Sequence, residues 1–291
     1  MHPTLEELLS RGLVLLDGAW GTELQARGLV PGECPDHWNL TAPERVAEVA
    51  RAYVEAGSRV ILTNTFGANS LCLAAHGLAA QAAAINTAGA RISRTAAGSA
   101  AKVFGSMGPS GKMLMMGEVS PEQLQAAFAE QAGALATGGA DGLVIETMAD
   151  LEEAKLALAA ARTTGLPVVV CMVYDSGKDK DRTMMGTTPE QAAEALTAAG
   201  ADVIGSNCGQ GVEGFVGICR RLRAATDLPI WIKANAGLPT VEGGKVVYHT
   251  SPEAFAAHLP ALREAGAAFV GGCCGTNPAF VRALSKRLAA G

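Results

Sequence analysis

Aromatic side chains are scarce in this 291-residue chain: 7 Phe, 3 Trp and 3 Tyr make up 4% of it. A core so short of rings must be filled by aliphatic and small side chains, and 35 glycines imply many tight turns between them. Basic runs are missing as well. Lys and Arg total 23 against 28 Asp and Glu, a net charge of −5, which argues against nucleic acid or anionic membrane as a partner. No apolar stretch approaches the ~20 residues of a membrane span, and Val168–Tyr174 has only the length of a strand. The segment Met1–Arg11 carries Glu6 and Glu7 and lacks the apolar core and cleavage site of a secretory leader. Seven cysteines without such a leader are expected in a reducing cytoplasm, where thiols are buried, catalytic or metal-bound. What is present, 49% hydrophobic and 18% charged residues, is the composition of a folded enzyme with a substantial core.

One pattern recurs along the chain. A segment of helical period ends in Gly and a small residue, and a short β-branched run follows. It appears at Gly57-Ser58, Gly139-Ala140, Gly200-Ala201 and Gly266-Ala267. Glycine there closes a helix in a left-handed cap, and the apolar run reads as a strand buried on both faces. Eight such strands are expected: Leu13–Asp17, Arg59–Asn64, Lys102–Gly105, Gly142–Thr147, Pro167–Tyr174, Asp202–Cys208, Pro229–Asn235 and Ala268–Cys273. The intervening helices begin with Pro43, Pro121, Pro189, Pro252 and Pro278, with Ser120, Thr188, Ser251 and Thr41 near the caps. No Pro/Ser-rich linker divides the chain. The reading is one α/β domain over residues 1–291, a (β/α)₈ TIM barrel, with a doubly wound open sheet as the alternative.

In a barrel, reactive side chains project from the C-terminal strand ends. Those ends carry Asp17, Asn64-Thr65, Gly105-Ser106, Glu146-Thr147, Tyr174-Asp175, Asn207-Cys208, Asn235 and Cys273-Cys274. Two longer connections, from Ser106 to Ser120 with four methionines and from Asp175 to Thr188 with the charged run Lys178–Arg182, follow strands and would flank the same rim. Cys273 and Cys274 stand in Gly-Gly-Cys-Cys-Gly, where glycine lets the backbone leave the regular pleat and turn both side chains inward. Cys208 lies at another strand end, also beside a glycine. Three thiolates with one open position select Zn²⁺; the competing reading makes all three buried packing residues. Cys34, Cys72, Cys171 and Cys219 lack such a setting and read as packing residues.

A metal held by three thiolates activates water weakly, but an added thiol would coordinate, lose its proton and stay electron-rich. The fitting reaction is thiolate attack on an electrophilic carbon. Asp17 and Glu146 are then candidates for an α-ammonium group, and the N–H groups of Gly18 and Ala19 for a carboxylate. Asn64, Thr65 and Asn207, on the same rim, complete the candidate substrate-binding set.

The strand-end set Leu16–Leu24, Thr63–Asn69, Ile145–Thr147, Gly205–Gly209 and Gly271–Thr276 resembles the zinc-dependent homocysteine S-methyltransferases. Within that family, Asn64-Thr65-Phe66-Gly67-Ala68-Asn69 is most similar to the homocysteine-binding barrel of cobalamin-dependent methionine synthase. The resemblance implies zinc on Cys208, Cys273 and Cys274, with Asn235 in the fourth position until the substrate thiolate displaces it. It further implies that Glu146 and Asp17 bind the homocysteine amino group, that the backbone at Gly18 and Ala19 binds its carboxylate, and that the zinc-bound thiolate takes a methyl group to give methionine. No cobalamin-ligating motif is present, so the methyl donor is expected in trans, from a separate methylcorrinoid protein or as a small methylated compound. The Met-bearing loop after Gly105 is a candidate docking surface for the former.

Three other readings compete. The same site could demethylate another methylated sulfur or nitrogen compound towards a corrinoid or another thiol. A phosphate-binding aldolase or isomerase would use the Gly271-Gly272 turn and Lys233. A non-catalytic zinc scaffold would leave Asp17 and Glu146 without a task. Cys208→Ser separates these cases: metal and activity should disappear together, and an active, metal-free variant would exclude the zinc mechanism.

Overall fold

A computed structural model describes residues 1–242 and 245–290. Eight of its strands form one all-parallel sheet: β1 (Val14–Leu15), β2 (Val60–Leu62), β3 (Lys102–Met107), β4 (Gly142–Met148), β5 (Val168–Met172), β6 (Val203–Gly211), β7 (Ile230–Asn235) and, after a hairpin of β8 (Thr240–Glu242) and β9 (Lys245–Val247), β10 (Ala267–Gly272). Spatial order follows chain order from β2 to β7, and β10 then pairs with β1. β1 and β2 do not form a ladder. Their seam is bridged by Arg59 N–H to Leu15 O at 2.8 Å, by Ser58 Oγ–H to Leu16 O at 3.1 Å, and by Leu62 N–H to Asp17 Oδ2 at 2.7 Å. The barrel anticipated from the sequence is therefore the fold, rather than an open sheet.

All eight expected strands are present, with ends shifted by a few residues. β1 is shorter than expected, although Leu16 N–H still donates to Val270 O and Asp17 O still accepts Gly272 N–H, each at 2.9 Å, and β6 runs on to Gly211 through a bulge. The glycines of the recurring pattern do close helices with positive φ: Gly57 at 107°, Gly139 at 94°, Gly200 at 89° and Gly266 at 99°. Ser120 and Thr188 form capping boxes with Gln123 and Gln191, and Ser251 caps through Ala254 N–H. Thr41 is a correction. Its hydroxyl bonds back to His37 O within the preceding turn, and the helix at Pro43 starts without a side-chain cap. The β8–β9 hairpin was not anticipated, because its strands are three residues long and β8 is exposed rather than a buried apolar run.

The barrel interior is apolar at its N-terminal end. Val14, Leu16, Val60, Leu62, Phe104, Val144, Val169, Cys171, Val203, Trp231 and Phe269 fill it, and Leu5 and Leu8 of the helix Pro3–Leu9 pack against them from below. Trp231 is the largest of these. Its ring lies 5.8 Å from Phe104 and 5.1 Å from Phe269, centroid to centroid. Space for it depends on Gly205 on the neighbouring strand, where a Cβ would fall 2.2 Å from Trp231 O. A second, larger core lies between the strands' outer faces and the helices. Trp231→Ala, which removes the ring that fills the barrel, should lower unfolding stability by about 3–5 kcal/mol, read as a shift in the urea midpoint.

Candidate functional site

Alternation along each strand sends every second residue inward, and near the C-terminal end those residues change from apolar to polar. Phe104 is followed inward by Ser106, Val144 by Glu146, and Trp231 by Lys233 and Asn235. All four polar residues are buried. Ser106, Glu146 and Lys233, together with the loops that leave the strands, form the floor of a cavity of about 550 Å³ at the rim, and Asn235 lies behind that lining.

Two strand ends depart from regular geometry, and both carry site residues. The β4–β5 register shifts between Ile145 and Met148, and Thr147 has φ +62°. The β6–β7 register shifts between Asn207 and Gly211, and Cys208 also has φ +62°. Left-handed backbone at non-glycine residues is costly and persists only where neighbours enforce it. Asn207 is that enforcement: its Oδ1 accepts Thr147 N–H at 2.7 Å, and its amide donates to Thr147 Oγ1 at 2.7 Å and to Glu146 Oε2 at 3.4 Å. Ser106 Oγ–H donates to the other Glu146 oxygen at 2.5 Å. Burial pushes the Glu146 carboxyl above its usual value, against the pull of Lys233.

Cys208, Cys273 and Cys274 converge, with their Sγ atoms all within 4.8 Å of one another. The Cys208 and Cys274 sulfurs are 3.8 Å apart, and two sulfurs on a tetrahedral ion with Zn–S of about 2.3 Å are separated by about 3.8 Å. The spacing and the soft donor set therefore fit a metal. Cys273 N–H is tied to Ala234 O at 2.6 Å and Cys274 N–H to Asn235 Oδ1 at 3.1 Å, so β7 fixes where the adjacent thiols point. Gly275 follows with φ +78°, and a Cβ there would run into the Tyr248 ring at 2.2 Å. Protons shared from Cys273 and Cys274 hold the Cys208 thiol far below its ordinary value, and the same sharing pushes its two partners up.

Asp17 is wholly buried and its carboxylate is already engaged. Oδ2 accepts the Trp20 indole N–H and Leu62 N–H, each at 2.7 Å, and Oδ1 accepts from the Lys233 ammonium. Ala19 N–H is taken by Thr276 Oγ1 at 3.1 Å, whereas Gly18 N–H has no partner among the described residues. Asn64 and Thr65 line the cavity but also brace it. Asn64 Nδ2 donates to Pro35 O at 2.7 Å, and Thr65 Oγ1 donates to Ser106 O at 2.7 Å. Sequence reasoning missed three supports, Ser106 as the partner of Glu146, Thr276 and Trp20, because strand-end position alone does not reveal a bond across 40 or 257 residues. Cys171 and Cys219 are buried packing residues as expected, but Cys34 and Cys72 reach the cavity wall.

The homocysteine S-methyltransferase family profile matches residues 14–288. The methionine synthase of Mycobacterium tuberculosis is 31% identical over 98% of this chain, which spans a quarter of that relative's length. Among solved structures, the metallated form of the homocysteine methyltransferase MmuM from Escherichia coli superposes with a TM-score of 0.82 at 27% identity, over 97% of this chain and 99% of that one. Its apo form gives 0.76 at 25% identity, over the same shares of the two chains.

Asp36, in the outer wall of the cavity, is a charge without a cation. It is 5% exposed, accepts Gly67 N–H at 3.0 Å, and meets only the weak Cys34 thiol donor at 3.8 Å on its other oxygen. Burial pushes its carboxyl up from 3.8 to about 6. Below pH 3.8 it is protonated in both folded and unfolded chains and contributes nothing to pH dependence. Between pH 3.8 and 6 the unfolded chain releases a proton that the folded chain keeps, so stability falls as pH rises through that window. Asp36→Asn should therefore be more stable than the parent above pH 6 by about 2–3 kcal/mol, with the gap closing as the pH drops, in denaturant titrations run from pH 4 to pH 8.

Proposed function

Because the chain belongs to the homocysteine S-methyltransferase family, we propose that it transfers a methyl group to the sulfur of homocysteine and so forms methionine. The observation that carries this reading is the meeting of three thiols with Glu146 and Lys233 in one cavity, where a sulfur nucleophile and a charged amino-acid backbone can be held together. Zinc is the ion we assign to Cys208, Cys273 and Cys274, with Asn235 beside them as a further donor. Bound there, it would favour the deprotonated form of a substrate thiol while the anionic ligand set keeps the sulfur nucleophilic.

The chain's own residues orient the substrate. Glu146, held on both oxygens by Ser106 and Asn207, is the carboxylate left to meet the amino group. Asp17, fully engaged, anchors Lys233 and the Trp20 ring beneath it. Gly18 N–H remains available to the substrate carboxylate. The methyl donor arrives at the open mouth, either from a separate methylcorrinoid protein or as a small methylated compound. Exposed Phe66, Met113, Met115, Met116, Met184 and Leu238, on loops leaving β2, β3, β5 and β7, give that mouth an apolar and adaptable border.

No helix among the described residues is long and apolar enough to cross a membrane. All seven cysteines are free, and two ligand sulfurs 3.8 Å apart are preserved only under reducing conditions; we therefore assign the protein to the cytoplasm.

The test is methionine formation by zinc-loaded protein from homocysteine, with a methylcorrinoid protein and with small S- and N-methylated compounds offered separately. Glu146→Gln should raise the KM for homocysteine by about 10–100-fold, the loss of one charge-assisted contact, and leave the zinc content of the protein unchanged. Unaltered homocysteine affinity in that variant would remove Glu146 from the amino-group site.

A further inference from the structure

Lys233 is the one fully buried ammonium among the described residues. It is 2% exposed, and it lines the cavity rather than the packed interior. A lysine ammonium carries three donors. One goes to Asp17 Oδ1, and no other acceptor lies within hydrogen-bond distance among the described residues. A sealed ammonium with unfilled donors is costly unless something polar meets it, and the only open direction is the cavity itself.

The placement of its neighbours narrows what that partner is. Lys233 is paired in register with Asn207 on β6 and Gly271 on β10, so it stands between the strand that positions Glu146 and the strand that leads into Cys273. The cavity floor thus carries a carboxylate braced by Ser106 and Asn207, an ammonium braced by Asp17, and the thiol cluster. Two opposite charges beside a sulfur site match a zwitterion with a thiol side chain. Gly18, next to Asp17 in the chain, also lines the cavity and adds one neutral N–H donor to it.

We infer that Lys233 binds the α-carboxylate of the thiol amino acid and is the residue that makes the site selective for carboxylated thiols. This rests on the methyl-acceptor reading given above and assigns the part of that site which neither Glu146 nor the cysteines can fill. Asp17 then acts as a positioning residue: it fixes the lysine's direction and does not itself touch the substrate.

Three thiols of one chain length separate the contributions: homocysteine, 3-aminopropane-1-thiol, which lacks the carboxylate, and 4-mercaptobutanoate, which lacks the ammonium. Binding to zinc-loaded protein is measured by calorimetry for the parent, Lys233→Met and Glu146→Gln. Lys233→Met should weaken homocysteine and 4-mercaptobutanoate by about 10–100-fold and leave 3-aminopropane-1-thiol within about threefold of the parent. Glu146→Gln should show the opposite pattern. Equal loss for all three thiols in Lys233→Met, or no loss for any, overturns the assignment, since a merely structural lysine cannot tell a carboxylate from its absence. If the unpaired Asp17 prevents that variant from folding, Asp17→Asn/Lys233→Met removes both charges and carries the same comparison. A parent protein that binds none of the thiols refutes the methyl-acceptor reading itself, an outcome distinct from a parent that binds homocysteine with no dependence on Lys233.

Discussion

The carboxylate of Asp17 brings the barrel seam, the Trp20 ring and Lys233 of β7 together on one group. β1 is two residues long and makes no ladder with β2, so the barrel closes at that seam through a handful of bonds, one of them from Leu62 N–H to Asp17. The same carboxylate fixes the Trp20 ring and pairs with Lys233 across the barrel from β7. An ion pair buried this deeply gains little net stability over an apolar pair of similar shape, but loss of either partner strands a charge in low dielectric. Its value here is geometric. It ties barrel closure to the chemistry of the cavity floor, so a distortion of one is a distortion of the other.

Strain on the rim is distributed in the same economical way. Thr147 and Cys208 both adopt left-handed backbone, on strands that are not sequence neighbours, and a single amide group, that of Asn207, clamps the first while standing next to the second. The bulge that follows turns the Cys208 sulfur toward Cys274 instead of out of the barrel. Because the third and second sulfurs are adjacent in the chain and fastened through Ala234 and Asn235, the cluster is built from one bulge and one backbone anchor.

Much of this was legible in the sequence, for identifiable reasons. Helix-closing glycines followed by β-branched runs mark strand after strand, because positive φ and burial on both faces each restrict the residue types allowed. The three cysteines stood out because each has glycine beside it at a strand end, and the structure brings the three together. Other features were not legible. Alternation indicates that Lys233 points inward with Asn235, but nothing local indicates that its partner is Asp17, more than 200 residues away. The carboxylate that appeared free to receive a substrate ammonium is thereby occupied. Likewise, the hydroxyl of Thr41 has the position of a cap but bonds backward to His37, because Ala42 intervenes before the helix. The exposed strand β8 leaves no burial signal at all.

The packed lower half of the barrel has a kinetic consequence. Trp231, Phe104 and Phe269, with Leu5 and Leu8 beneath, seal the bottom of the cavity, so the floor residues and the thiol cluster are reached only through the mouth. A blind well with one entrance imposes a queue. For the proposed reaction, an acceptor resting on the floor would go in first, the donor would cover it, and the methylated product could leave only after the spent donor had uncovered the opening. Turnover in such a well would be ordered, and a spent donor that lingers at the mouth would slow release of the product beneath it.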